Sequence, residues 1–106
     1  MKTFFLKFTT TLLILSYSLV QANADELFNK GKEVFLEAGN CAACHTLSDA
    51  GSIAEIGPNL NQIRPQVQTI LMAVKNGIGV MPAMDGILSD EEIEAVAHYT
   101  SISAEQ

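Results

Sequence analysis

Cys41-Ala42-Ala43-Cys44-His45 is the stretch that decides how this chain is read. Two thiols separated by two residues lie close enough in a tight turn to add across the two vinyl groups of one porphyrin. The residue that follows, His45, is then delivered beneath the ring, where an imidazole nitrogen can bind iron. The pattern C-x-x-C-H is the attachment signature for c-type haem. Small Ala42 and Ala43 let the backbone lie close to the porphyrin edge. Cys41 and Cys44 are thus the expected attachment points and His45 the expected iron ligand.

Other chemistries of neighbouring cysteines fit less well. A Cys41–Cys44 disulfide would close only a tiny loop, which on the chain-entropy account stabilises far less than a long one. A thioredoxin-like site expects a βαβ pattern around its C-x-x-C, and no strand is predicted. A structural zinc site takes four ligands, whereas the chain has two Cys and two His. The second, His98, falls on the charged face of a predicted helix one turn after Glu94.

On the amino-terminal side the chain begins as an export signal. Lys2 and Lys7 give a positive start, Thr11–Val20 is largely apolar, and Ala22-Asn23-Ala24 offers the small-x-small cleavage pattern. The apolar run is too short and too rich in Thr and Ser for a spanning helix, which needs about 20 apolar residues. The expected organisation is a signal peptide over residues 1–24 and one domain over 25–106, with no membrane span after cleavage. The expected compartment is a bacterial periplasm, with a thylakoid lumen as the second choice.

Lys2 and Lys7 leave with the signal, whereas all twelve acidic residues remain, so the formal charge moves from −6 to −8. That balance disfavours nucleic acid and anionic lipid as partners and favours basic protein surfaces. A domain this small is marginal on its own core and usually needs a staple. Covalent haem would supply one.

Four elements and no strands are predicted for the domain. Leu27, Phe28, Gly31, Val34, Phe35 and Ala38 form a stripe at helical spacing, so Asp25 to Ala38 reads as helix, stopped by Gly39-Asn40. From Gly39 to Arg64 periodicity is lost, apart from a short helical turn within Cys41 to Leu47. Pro65 suits the first turn of the next helix, whose stripe is Val67, Ile70, Leu71 and Val74 and whose end is Asn76-Gly77. A loop from Gly77 to Gly86 follows. Ser89 and Glu92 then form a capping box, with Leu88 and Ile93 placed to staple it. Ile93, Val96, Ala97 and Thr100 face inward, and Glu91, Glu94 and His98 face outward.

Haem iron bound by one His keeps a sixth position, and Met/His pairing is typical of electron-carrying haem. The domain offers Met72, Met81 and Met84. Met72 lies inside a helix beside Leu71 and reads as packing. Met81 and Met84 share the Gly-flanked loop, and spacing alone leaves them near even. Pro82 stiffens the chain directly after Met81.

Four strings fall in a familiar order: Cys41 to His45, Gly57-Pro58-Asn59-Leu60, Asn76-Gly77 through Met81-Pro82-Ala83, and Leu88-Ser89-Asp90-Glu91-Glu92-Ile93. Together they resemble the small class I bacterial cytochromes c over nearly all of the domain. The resemblance implies an all-α, cytochrome c-like fold, with three main helices and short turns wrapped around one covalent haem c. It also implies electron transfer rather than catalysis. It makes Met81 the distal ligand; Met84 departs from the family, which commonly carries an aromatic there. The same resemblance implies that the Pro58 carbonyl accepts the other ring N–H of His45 and that Leu60 packs on the proximal side. The residues alone support a plain turn at Gly57-Pro58 equally well. A helix crossing of Gly31 and Phe35 with Val96 and Tyr99 is implied too.

The function so implied is a periplasmic carrier that shuttles one electron between redox proteins. Donors and acceptors would dock at a haem edge near Cys41 and Cys44. The family also includes permanent haem subunits of periplasmic dehydrogenases, such as sulfite-oxidising ones. The expected state is therefore a monomer or a subunit of such an enzyme.

Overall fold

A computed structural model describes residues 23–106. Most of the expected export segment, residues 1–22, lies outside the described residues; Asn23 and Ala24 stand at the start of the first helix.

Four helices occur among the described residues. Helix α1 covers 23–36, α2 Leu60–Ile63, α3 Val67–Asn76 and α4 Asp90–Ser103. The all-α expectation holds, with α1, α3 and α4 as the three main helices.

The segment between α1 and α3 is more ordered than its lack of periodicity predicts. Two antiparallel strands, β1 at Thr46–Leu47 and β2 at Ser52–Ile53, pair around a 3₁₀ turn at Ser48–Ala50. This corrects the expectation of no strands. Strands of two residues carry no alternation to read, and this pair is held by side chains as much as by a ladder. Leu47 N–H donates to Ser52 Oγ at 3.1 Å and Thr46 Oγ1 donates to the Ala54 carbonyl at 2.9 Å. Helix α2 is the second addition, a single turn capped by Asn59, whose side chain accepts the Gln62 N–H.

Helix α3 starts two residues later than expected. Arg64 takes a left-handed conformation, with φ 45°, as it ends α2. Pro65 follows outside any helix, and extended Gln66 becomes the cap of α3. Ile70 and Val74 are buried, whereas Met72 is 66 % exposed. Met72 therefore faces solvent rather than filling the core, because it lies on the opposite side of the helix from the Ile70–Val74 line.

Helix α4 opens as the sequence predicts. Ser89 Oγ accepts the Glu92 N–H at 3.1 Å, and Glu92 Oε1 accepts the Ser89 N–H at 3.0 Å. The Ser89 N–H, and after it the Ser89 side chain, hold the Glu92 carboxyl below its ordinary value. Leu88 and Ile93, either side of this cap, both join the core with Val34, Phe35, Leu47, Leu60 and Val96.

Helix α1 crosses α4 at Gly31. A Cβ at Gly31 would overlap the Ala95 carbonyl oxygen and stand 2.5 Å from Tyr99 Cβ. The backbones meet too closely for any larger residue. Tyr99 is the centre of the crossing, edge-on to Phe28 at 4.9 Å and to Phe35 at 5.8 Å between ring centroids. Ala95, rather than Val96, stands opposite Gly31, since i and i+4 share a helix face and Ala95 precedes Tyr99 by four.

Candidate haem site

The Cys41–His45 string forms at the point where the chain leaves α1. Gly39 N–H donates to the Val34 carbonyl at 2.7 Å, and Asn40 turns the chain through φ 49°. A 3₁₀ turn, Cys41–Ala43, follows, with the Cys44 and His45 N–H groups both reaching the Cys41 carbonyl, at 3.1 and 3.0 Å. Cys41 and Cys44 are each half-buried and are not bonded to one another. A Cβ on Gly39 would sit 3.1 Å from Cys41 Sγ, so the glycine leaves the sulfur room beside the helix end.

The second string lies against the first. Gly57 N–H donates to the Cys44 carbonyl at 2.7 Å. His45 Nδ1 stands 2.8 Å from the Pro58 carbonyl oxygen. A carbonyl only accepts, so the ring proton resides on Nδ1 and the lone pair is left on Nε2. A Cβ at Gly57 would come within 2.5 Å of His45 Cε1 and 3.0 Å of Nε2. The glycine thus lets the backbone lie flat against the imidazole, while the proline carbonyl fixes its rotation. A fixed tautomer with a free Nε2, one residue after Cys44 and four after Cys41, suits covalent haem with an imidazole donor.

Leu60 is buried at the start of α2 and belongs to the core. One residue on, Asn61 does something that sequence reading missed. Its Oδ1 accepts from both Ser48 N–H at 2.8 Å and Ser48 Oγ at 3.1 Å. That bond ties the turn just after the His45 segment to the helix just after Pro58, bracing both partners of the imidazole bond. A donor and an acceptor thirteen residues apart leave no local pattern to find.

Met81 and Met84 are both half-buried and pack against the core. Met81 closes a tight turn: Ile78 N–H donates to the Met81 carbonyl at 3.1 Å, and Met81 N–H donates back to Ile78 at 2.9 Å. Gly79 supplies the positive φ, 56°, at the first central position, as a type II′ turn requires. Met84 N–H instead donates to the Val74 carbonyl at 2.8 Å, fastening that residue to the end of α3.

Comparison with known proteins agrees with this geometry. The family described as cytochrome C oxidase, cbb3-type, subunit III matches residues 26–99. Cytochrome c6 of Cladophora glomerata is 38 % identical over 80 residues, covering 70 % of this chain and 86 % of its own. Cytochrome c6 of Microcystis aeruginosa is 35 % identical over 80 residues, covering 72 % of this chain and 96 % of its own. The crystal structure of the c-type cytochrome SorU from Sinorhizobium meliloti is 50 % identical, with a TM-score of 0.72, covering 76 % of this chain and 93 % of that one. The chain belongs to the c-type cytochromes, haem-binding proteins of electron transport, and its cofactor is covalent haem c.

Proposed function

We propose that the mature chain is a single-haem electron carrier of the periplasm, in which Cys41 and Cys44 would anchor the haem and His45 and Met81 would donate to its iron. The observation that carries this reading is the 2.8 Å bond from His45 Nδ1 to the Pro58 carbonyl oxygen over the Gly57 backbone. It commits the imidazole to one tautomer and one orientation. When bound, haem c supplies a one-electron ferrous–ferric couple. The chain's own residues do the rest. Pro58 and Gly57 hold the His45 ring, Leu60 would pack against the haem beside it, and the Ile78–Met81 turn would present a soft thioether that favours the reduced state. With His45 and Met81 both donating, the iron would keep no position for a substrate, and the chain would carry electrons rather than act as an enzyme by itself.

Export of residues 1–24 is part of the proposal, supported by the positive start and the apolar run, and by the family match beginning at residue 26. No helix among the described residues is long and apolar enough to cross a membrane. Redox partners dock at the haem edge near the two cysteines, attracted by the chain's negative charge to their basic patches. An open groove between α1 and α4, lined by Glu26, Glu33, Glu91, Glu92 and Glu94 with Lys30, adds to that negative field.

Mass and visible spectra of the exported protein test the proposal. The expected mass is that of residues 25–106 plus one haem. The oxidised form should show a weak band at the red end that disappears on reduction, reporting the iron–thioether bond. Met81→Leu should abolish that band and allow carbon monoxide to bind the reduced form, whereas Met84→Leu should keep the band. A colourless protein, or a band that survives in Met81→Leu, overturns the assignment. Stable co-purification with a catalytic chain would make it a permanent dehydrogenase subunit instead of a free carrier.

A further inference from the structure

We infer that Gly77 is a positioning residue for Met81, an inference that rests on Met81 being the distal donor. Gly77 ends α3, its N–H donating to the Ala73 carbonyl at 2.9 Å, with φ 72° and ψ 166°. That region of backbone space is essentially restricted to glycine. A Cβ at this position would stand 2.7 Å from the Met81 carbonyl oxygen, 2.8 Å from Ala83 N and 3.1 Å from the Pro82 carbonyl carbon. All three are backbone atoms, which cannot rotate aside as the end of a flexible side chain can. The peptides that carry Met81 therefore rest directly on the bare Cα of Gly77.

The rest of the loop leaves that segment nowhere else to go. The Met81 backbone is closed into the Ile78–Met81 turn on one side. On the other, Met84 and Asp85 N–H groups are fastened to the Val74 and Lys75 carbonyls, at 2.8 and 3.4 Å. Pro82 removes a degree of freedom in between. A methyl group at residue 77 must lift residues 81–83 as a unit. A thioether is a weak iron donor, so its bond depends on being held in place.

Gly86 provides the internal contrast. It lies in the same loop with φ 82°, yet a Cβ there meets nothing within 4 Å. A methyl group at Gly86 meets the backbone strain of positive φ without touching the Met81 segment.

The test compares Gly77→Ala and Gly86→Ala holoproteins with the wild type. The readouts are the iron–thioether band, the reduction midpoint and far-UV circular dichroism. Gly77→Ala is expected to keep its helical signal, lose most of the band at neutral pH, and show a lowered midpoint. Gly86→Ala is expected to keep band and midpoint while melting at a lower temperature. In a Met81→Leu background, adding Gly77→Ala should leave the midpoint where Met81→Leu alone puts it. A Gly77→Ala protein with a full band and an unchanged midpoint overturns the inference. So does one that binds haem but loses its helical signal, or fails to accumulate while Gly86→Ala does, because the glycine then serves the fold. A wild type without the band removes Met81 as donor and this inference with it; a wild type with the band beside an unaffected Gly77→Ala removes only the role of Gly77.

Discussion

The Tyr99 hydroxyl donates to Asp49 Oδ2 at 2.7 Å, joining α4 to the turn that lies four residues beyond His45. Lys32 Nζ of α1 reaches the same carboxylate oxygen at 3.1 Å. One carboxylate thus gathers three separate pieces of chain. Removing the hydroxyl with Tyr99→Phe keeps the aromatic packing on Phe28 and Phe35 and leaves Lys32 with Asp49. A hydrogen bond to a charged acceptor contributes about 1.5–3 kcal/mol. Chemical denaturation of the holoprotein should show that loss, with the haem spectrum unchanged.

The same contact makes stability depend on pH in two opposite ways. The Asp49 carboxyl is held below its ordinary 3.8, chiefly by the Tyr99 hydroxyl and then by Lys32. Its folded value is depressed, so its contribution is complete above about pH 4 and is lost as pH falls through the folded value. Burial and Asp49 push the Tyr99 phenol up. That contribution is complete below about pH 10, where an unfolded Tyr ionises, and is lost as pH climbs toward the raised folded value. The melting temperatures of wild type and Asp49→Asn should therefore differ at neutral pH, begin to converge only as pH falls below about 4, and meet once pH is below the depressed folded value.

What was legible in the sequence was what is local. Cys41 to His45 are contiguous, the Ser89–Glu92 box spans one turn, and the Gly31 anomaly sits within one helix. The Pro58–His45 bond became readable only through resemblance, since Gly57-Pro58 by itself is a turn like any other. The misses have two causes. β1, β2 and α2 each span about one period of their own type, so hydrophobic patterning has no repeat to register. Pro65 obeyed a sound rule for helix starts, but the left-handed Arg64 before it moved the start to Val67. The Asn61–Ser48 and Tyr99–Asp49 bonds are tertiary, thirteen and fifty residues apart, and no reading along the chain brings such partners together.

Gly31→Ala is a substitution whose sign the helix alone gets wrong. Within a helix, Ala is favoured over Gly by about 1 kcal/mol. Here the added methyl would overlap the Ala95 carbonyl oxygen and crowd Tyr99 Cβ. Neither obstacle is a flexible side-chain end, so the two helices must separate along the crossing. Overpacking of this kind costs about 1–3 kcal/mol, more than the propensity gain. Thermal melting of the holoprotein should fall in Gly31→Ala, with a larger fall in Gly31→Val.

Haem attachment should decide whether the chain folds at all. The buried hydrophobic core is drawn almost wholly from α1, α3, α4 and Leu88. From the long segment between Gly39 and Arg64 it takes only Leu47 and Leu60. That segment carries Cys41, Cys44 and the His45–Pro58 pair, and beyond the edge contacts of Ala42 and Ala50 its remaining ties are polar, chiefly Ser48 to Asn61 and Asp49 to Tyr99 and Lys32. Individual bonds of that kind contribute about 1–3 kcal/mol each, too little to offset the ordering of so much irregular backbone. A covalent apolar plate at Cys41 and Cys44 gives the segment something to pack on. The Cys41→Ala/Cys44→Ala double variant should therefore show little helical circular dichroism and a broad, non-cooperative melt at temperatures where the holoprotein remains folded. A sharp, native-like transition in that variant would mean that the three main helices suffice without the cofactor.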